Sequence, residues 1–228
     1  SNEKITEGLD GLRERLNEYF ELGARFDKWR AVITIGEGIP TDYCIDANAH
    51  ALARYSVLSQ EAGLVPIVEP EVLMTGNHSI ETCYEVTKKT LISTFAELKS
   101  QGVHLPGILL KPNMVISALD CPTQAGPDEV AEQTIKCFRE CVPSEVLGIV
   151  FLSGGQTSIE ATDHLSRMNS MGPHPWELSF SYGRALQHDP LMTWNGSNEN
   201  RTIAQETFLK RAKLNGLARY GNYNTDME

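Results

Sequence analysis

The chain has 228 residues, 41% of them hydrophobic and 22% charged. That composition belongs to a globular protein and excludes a disordered or collagen-like chain. Twenty Lys and Arg stand against 30 Asp and Glu, a formal charge of −10, which repels a polyanion and excludes broad nucleic-acid binding.

The chain opens on Ser1-Asn2 without Met, which reads as a tag remnant or a cleavage point. Residues 1–6 are polar and carry no signal-peptide pattern. Leu9, Leu12, Leu16, Tyr19 and Phe20 recur at helical spacing and predict an amphipathic helix. Residues 29–33 (WRAVI) predict a strand, 47–61 a helix, and 64–69 (LVPIVE) a second strand. Residues 80–100 predict a long helix and 107–111 (GILLK) a third strand. Pro127-Asp128 starts a helix over 128–141. Residues 148–152 then predict a strand, 158–169 a helix and 177–181 a fifth strand. Helix around Gln187 and over 199–220 closes the chain. Strands separated by helices predict βα units, a parallel sheet and an α/β fold. The strands read as apolar on both faces. Without a Gly-, Ser- or Pro-rich linker, residues 1–228 read as a single domain. Apolar runs such as 106–110 and 148–152 are far short of the roughly 18 residues a membrane helix needs, so no membrane partner is expected.

Five cysteines (Cys44, Cys83, Cys121, Cys137, Cys141) make an odd count with no CxxC pair. Cys137 and Cys141 share a predicted helix face, which is not the spacing of a zinc knuckle. They read as free thiols of a reducing, cytoplasmic compartment. The six histidines show no HxH or HExxH spacing, so neither a metal nor a cofactor is expected.

In βα folds chemistry collects where strands run out at their C-terminal ends. The first strand carries Lys28 and Arg30, the second ends Glu69-Pro70-Glu71, and the third ends Lys111-Pro112-Asn113. The fourth ends Ser153-Gly154-Gly155 and the fifth Ser181-Tyr182-Gly183-Arg184. Lys111 follows four apolar positions, a setting that desolvates an amine, lowers its pKa and frees it to attack a carbonyl. Glu69 and Glu71 are spaced to face one side of a strand, where one held protonated beside an ionised neighbour would shuttle protons. The two Gly-containing turns suit a phosphate, with amides and a helix N-terminus around the oxyanion and Arg184 as a charged contact. Each element also has an ordinary reading: a solvated lysine, a pair of exposed carboxylates, turn glycines. Local sequence leaves both open. Residues 152–156 spell LSGGQ, a transport-ATPase signature, but that function needs a GxxxxGK[ST] loop and the sequence has none.

Taken together, Leu110-Lys111-Pro112-Asn113-Met114-Val115, Val68-Glu69-Pro70-Glu71, the 151–156 and 180–186 segments, Gly8-Leu9-Asp10-Gly11-Leu12 and Lys28-Trp29-Arg30 resemble class I fructose-bisphosphate aldolase. The match runs in order from near Gly8 to about Gly221. The resemblance implies a (β/α)8 TIM barrel that reversibly cleaves fructose 1,6-bisphosphate through a lysine Schiff base, without metal, in glycolysis and gluconeogenesis. It implies Lys111 as the Schiff-base lysine and Glu69 as the acid/base for carbinolamine dehydration. Glu71 becomes a carboxylate supporting the lysine network, and Lys28 a cation near the C4 oxygen. Arg30 would serve the distant phosphate, while Ser153, Gly154, Gly155, Ser181, Gly183 and Arg184 would hold the C1 phosphate. The partner implied is a sugar phosphate, and the assembly a homotetramer. The match begins about a third of the way into the family's barrel. This chain is therefore expected to supply the last five βα units, without the family's aspartate base, a further lysine, and the tyrosine-bearing tail of animal members. The alternative is a non-catalytic barrel fragment or an interaction scaffold.

Overall fold

A computed structural model describes residues 3–228; Ser1 and Asn2 lie outside them. Helix α1 (Leu12–Glu21) leads into strand β1 (Phe26–Ile33) and helix α2 (Asp42–Glu61). Strand β2 (Val65–Val72), helix α3 (Ile80–Ser100) and strand β3 (Leu109–Leu110) follow. Next come helix α4 (Pro127–Cys141), strand β4 (Gly148–Phe151), helix α5 (Ser158–Ser170) and strand β5 (Glu177–Phe180). Helices α6 (Arg184–Trp194) and α7 (Arg201–Ala218) end the fold. The five strands form one sheet in the order β1-β2-β3-β4-β5, and every adjacent pair is parallel.

Local chemistry sets the helix starts. Thr41 Oγ1 accepts from Cys44 N–H at 3.2 Å, so α2 begins at Asp42, earlier than the expected residue 47. Thr157 and Glu160 form a reciprocal capping box at the start of α5. Pro127 occupies the first turn of α4, with Asp128 and Glu129 beside it. The sequence around Gln187 gave only a trace of α6, because Pro190 sits inside that helix.

On β1 the alternation is clean. Trp29, Ala31 and Ile33 are buried beneath α2, while Lys28 and Arg30 are exposed on the opposite face. That corrects the expectation of strands apolar on both faces, since one face of β1 is charged. The helix-covered face holds the core. Val68, Leu110, Ile149 and Phe151 are fully buried, Phe151 stacks on Phe138 of α4 at 5.7 Å, and Trp29 stacks on Tyr55 of α2 at 5.6 Å.

Strand β3 is the second correction. Residues 107–111 were expected to be extended, but only Leu109 and Leu110 are. Leu105–Gly107 form a 3-10 turn, and two prolines break the ladder beyond. Pro70 on β2 has no N–H to give β3, and Pro112 has none to give β4. One further bond survives, Lys111 N–H to the Val68 carbonyl at 2.8 Å, and it holds Lys111 level with Glu69.

Candidate active site

Parallel register brings the charged side chains to one face. Arg30 pairs with Glu69 and Val32 with Glu71 across β1 and β2. Val68 pairs with Leu110, so Lys111 comes beside Glu69 from the other side. Glu69 then lies between two ammonium groups. Lys111 Nζ is 3.3 Å from Oε1 and Lys28 Nζ is 2.9 Å from Oε2. Neither contact has the alignment of a hydrogen bond, so both are charge contacts. The Glu69 side chain is 4% exposed and Lys111 12%, whereas Lys28 is 42% exposed. Burial of this kind makes a charge contact strong and its removal costly.

Glu71 is buried too and has its own cation, with Arg30 Nε donating to its Oε2. The expectation that the two carboxylates divide their roles by repelling one another is replaced by a different arrangement. Each is matched to separate cations, so the pair carries no uncompensated like charge.

The loop after β4 closes on this cluster. Leu152 N–H donates to the Pro112 carbonyl at 3.2 Å. A Cβ built on Gly154 would lie 3.3 Å from Glu71 Oε1, which places the Gly154 backbone against the carboxylates. Gly155 has φ +76°, and a Cβ there would fall 2.6 Å from Met74 Cβ. Only glycine fits that position without movement. Ser153 Oγ accepts from Ala185 N–H at 3.3 Å, which ties the first turn of α6 to this loop. The buried Tyr182 hydroxyl donates to the Ala161 carbonyl at 2.7 Å and fastens the loop after β5 to α5.

Lys28 and Lys111 are thus joined to Glu69 and Arg30 to Glu71, Gly154 lies against Glu71, and Ser153 and Gly155 flank Gly154 in the same loop. Ser181 follows β5, its N–H bonded to the Phe151 carbonyl at 2.9 Å, and Gly183 precedes α6. Arg184 is exposed and has no ion pair among the described residues. It lines a groove of about 390 Å³ with Gln156, Thr157, Ser158 and His188, beside the phosphate-type loop rather than on the carboxylates.

One contact at this loop has no motif to announce it. His164 on α5 is buried, with Nδ1 2.7 Å from Gln156 Oε1. Burial pushes its pKa down to about 4, so the ring is neutral at pH 7 and its Nδ1–H donates to the Gln156 amide oxygen. The only sequence signal was a histidine on the predicted helix eight residues after Gln156. Among the described residues, no group of three His, Cys, Asp or Glu is placed to hold a metal ion, and no helix is long and apolar enough to cross a membrane.

A model of the glycolytic family fructose-bisphosphate aldolase class-I matches residues 1–228. The probable fructose-bisphosphate aldolase class 1 of Xanthomonas campestris pv. campestris is 58% identical over 222 residues, covering 97% of this chain and 66% of that protein. The fructose-bisphosphate aldolase of Dictyostelium discoideum is 50% identical over 223 residues, covering 97% and 62%. A ternary co-crystal structure of fructose-bisphosphate aldolase from Plasmodium falciparum, in complex with TRAP and a small-molecule inhibitor, superposes with a TM-score of 0.96 at 50% identity. It covers 98% of this chain and 65% of its own. The chain spans slightly less than two thirds of the length of these relatives. Its five parallel strands are the last five βα units of a (β/α)8 barrel.

Proposed function

The chain belongs to the class I fructose-bisphosphate aldolases, and on that footing we propose that it carries the lyase chemistry of fructose 1,6-bisphosphate through a Schiff base on Lys111. The observation that carries this reading is the mostly buried Lys111 amine, 3.3 Å from a buried carboxylate at the C-terminal end of a parallel strand.

Lys111 passes its ammonium proton to Glu69, and the neutral amine adds to the C2 carbonyl of the ketose and gives a carbinolamine. Glu69 gives a proton to the departing hydroxyl, water leaves, and an iminium remains. Loss of the C4 hydroxyl proton then lets the C3–C4 bonding pair flow into the iminium. Glyceraldehyde 3-phosphate departs and an enamine is left. Protonation at C3 and addition of water release dihydroxyacetone phosphate and restore the amine. The base for the C4 hydroxyl belongs, by resemblance, to a strand before the match. Lys28, the more exposed cation on Glu69, stabilises negative charge at the C4 oxygen.

Glu71, neutralised by Arg30, holds the buried end of the cluster and leaves Glu69 to the proton transfers. Arg30 serves the distant phosphate. Ser153, Gly154, Gly155, Ser181, Gly183 and Arg184 take the C1 phosphate, with backbone amides and the α6 start around its oxygens. We read the chain as one domain, the C-terminal portion of the barrel, acting in cytoplasmic glycolysis and gluconeogenesis and assembling as a homotetramer.

Borohydride reduction with dihydroxyacetone phosphate tests the proposal on the chain itself, because the trap needs only imine formation. Peptide mapping is expected to place the adduct on Lys111 with EDTA present. A folded chain without that adduct would refute the assignment.

A further inference from the structure

We propose that Asn113 is a positioning residue for the Lys111–Glu69 pair, acting as a side-chain substitute for a missing rung of the sheet. The inference takes from the aldolase reading only the reaction that Lys111 performs.

The register supplies the argument. Val68 pairs with Leu110, so a continued ladder would pair Pro70 with Pro112 and Val72 with Met114. In a parallel ladder the Val72 N–H would then donate to the main-chain carbonyl of Asn113. Pro70 cancels the rung before it, because it has no N–H to give the Lys111 carbonyl. The chain after Pro112 leaves the sheet, and the Val72 N–H would be an orphan donor in a buried place. Instead it donates to Asn113 Oδ1 at 3.0 Å. The side-chain carbonyl stands where the main-chain carbonyl would have been.

The other end of the amide is equally fixed. Nδ2 donates to Thr87 Oγ1 of α3 and to the Met114 carbonyl, each at 3.0 Å. Asn113 and Thr87 are each 1% exposed. Oδ1 and both Nδ2 hydrogens are engaged, so the amide has one orientation. Three segments meet on one side chain: the end of β2, one residue beyond Glu71; the loop that carries Lys111, two residues back; and helix α3. No main-chain hydrogen bond of the sheet links β2 to β3 beyond Lys111 N–H. Asn113 therefore sets how far the Lys111 loop stands from the strand that bears Glu69. A nucleophile and its proton partner lose rate when displaced by about 1 Å, on the order of a hundredfold.

Three variants separate positioning from packing. Asn113→Asp keeps the acceptor for Val72 but turns an oxygen toward the Met114 carbonyl. Thr87→Val keeps the shape of the helix residue and removes the acceptor for Nδ2. Thr87→Ser returns the hydroxyl. With dihydroxyacetone phosphate and borohydride, the rate constant for imine formation on Lys111 is expected to fall about a hundredfold in Asn113→Asp and about tenfold in Thr87→Val. The concentration giving half-maximal trapping should stay unchanged, and Thr87→Ser should trap at the wild-type rate.

A second readout does not depend on the aldolase reading: the pH profile of Lys111 acetylation by acetic anhydride, mapped by mass. Its midpoint is expected to move in Asn113→Asp and Thr87→Val and to return in Thr87→Ser. If wild-type protein forms no imine, the aldolase reading fails and the acetylation profile alone decides the role of Asn113. If Asn113→Asp does not fold, the Thr87 pair decides it. Wild-type rates and profiles in the folded variants would overturn the proposal. So would losses that only track the folded fraction measured by circular dichroism.

Discussion

Gly155→Ala tests whether the loop after β4 is held as tightly as its surroundings indicate. Gly155 has φ +76°, where an L side chain is strained by about 1–2 kcal/mol. The new methyl would also meet Met74 Cβ at 2.6 Å, Met74 Cγ at 3.0 Å and Ile116 Cδ1 at 3.4 Å. Met74 Cβ sits on its own backbone and has no rotamer that clears the methyl, so loop or strand must shift. Overpacking of this kind costs about 1–3 kcal/mol. The sum is about 2–5 kcal/mol, a large share of the roughly 5–15 kcal/mol that holds a domain folded. Gly154→Ala is the control. Its φ is not positive, and its nearest neighbours, Leu152 Cδ1 at 3.1 Å and Glu71 Oε1 at 3.3 Å, are the ends of flexible side chains. Urea unfolding of both variants against wild type reads the difference. At a slope of roughly 3 kcal/mol per molar, the Gly155→Ala midpoint should drop by about 1 M. The half-saturating concentration of dihydroxyacetone phosphate should rise with it, since the same loop is the proposed phosphate cradle. A Gly155→Ala protein within about 0.5 kcal/mol of wild type, or no worse than Gly154→Ala, would refute the reasoning.

Glu69→Gln, measured on its folded fraction because it leaves two cations without their carboxylate, should cut imine formation on Lys111 by about a hundredfold, since the amide cannot deliver the proton for dehydration. Stopped-flow trapping checks it, and an unchanged rate removes Glu69 from that role. Arg184→Ala should raise KM while kcat holds, since the side chain is exposed; steady-state kinetics decide, and an unchanged KM rejects the phosphate assignment. His164 gives a pH prediction. Its folded pKa, near 4, lies below the unfolded value of about 6.5, so the unfolded chain binds the extra proton between them. Its contribution, roughly 3 kcal/mol, is complete above about pH 6.5 and is lost as pH falls toward 4. Urea melts from pH 7 to pH 4 should show a steeper loss for wild type than for His164→Gln, and parallel losses would contradict the assignment.

Most of this architecture could be read from residue order. Strand positions, their parallel sense and the polar residues at their ends followed from periodicity and spacing. The two lysines and two carboxylates do meet, because side chains alternate along a strand and parallel register aligns strand ends. What stayed hidden depended on pairing. That Glu69 is shared by Lys28 and Lys111 while Glu71 belongs to Arg30 follows from the offset between strands, which no local pattern states. The shortness of β3 depended on Pro70 of the neighbouring strand as well as on Pro112, and which residue Pro70 faces is set by register. The α6 helix was obscured by Pro190, whose break signal was overruled by packing. His164 was legible as a helix residue, but its partner Gln156 is in the preceding loop, and only the fold brings the imidazole and the amide together.

The short β3 ladder gives the sheet a seam. Among the described residues, Leu109 and Leu110 are the only strand residues joining the part that bears Lys28, Arg30, Glu69 and Glu71 to the part that bears the two glycine loops. The proposed carbonyl chemistry and the proposed anion grip therefore sit on opposite sides of the thinnest join in the wall. A ligand held covalently at Lys111 and by its phosphate at Gly154 and Gly155 would span that join and act as a tie-bar. Its binding energy would appear as mechanical stiffness between the two halves, with amide exchange slowing most in β3 and β4.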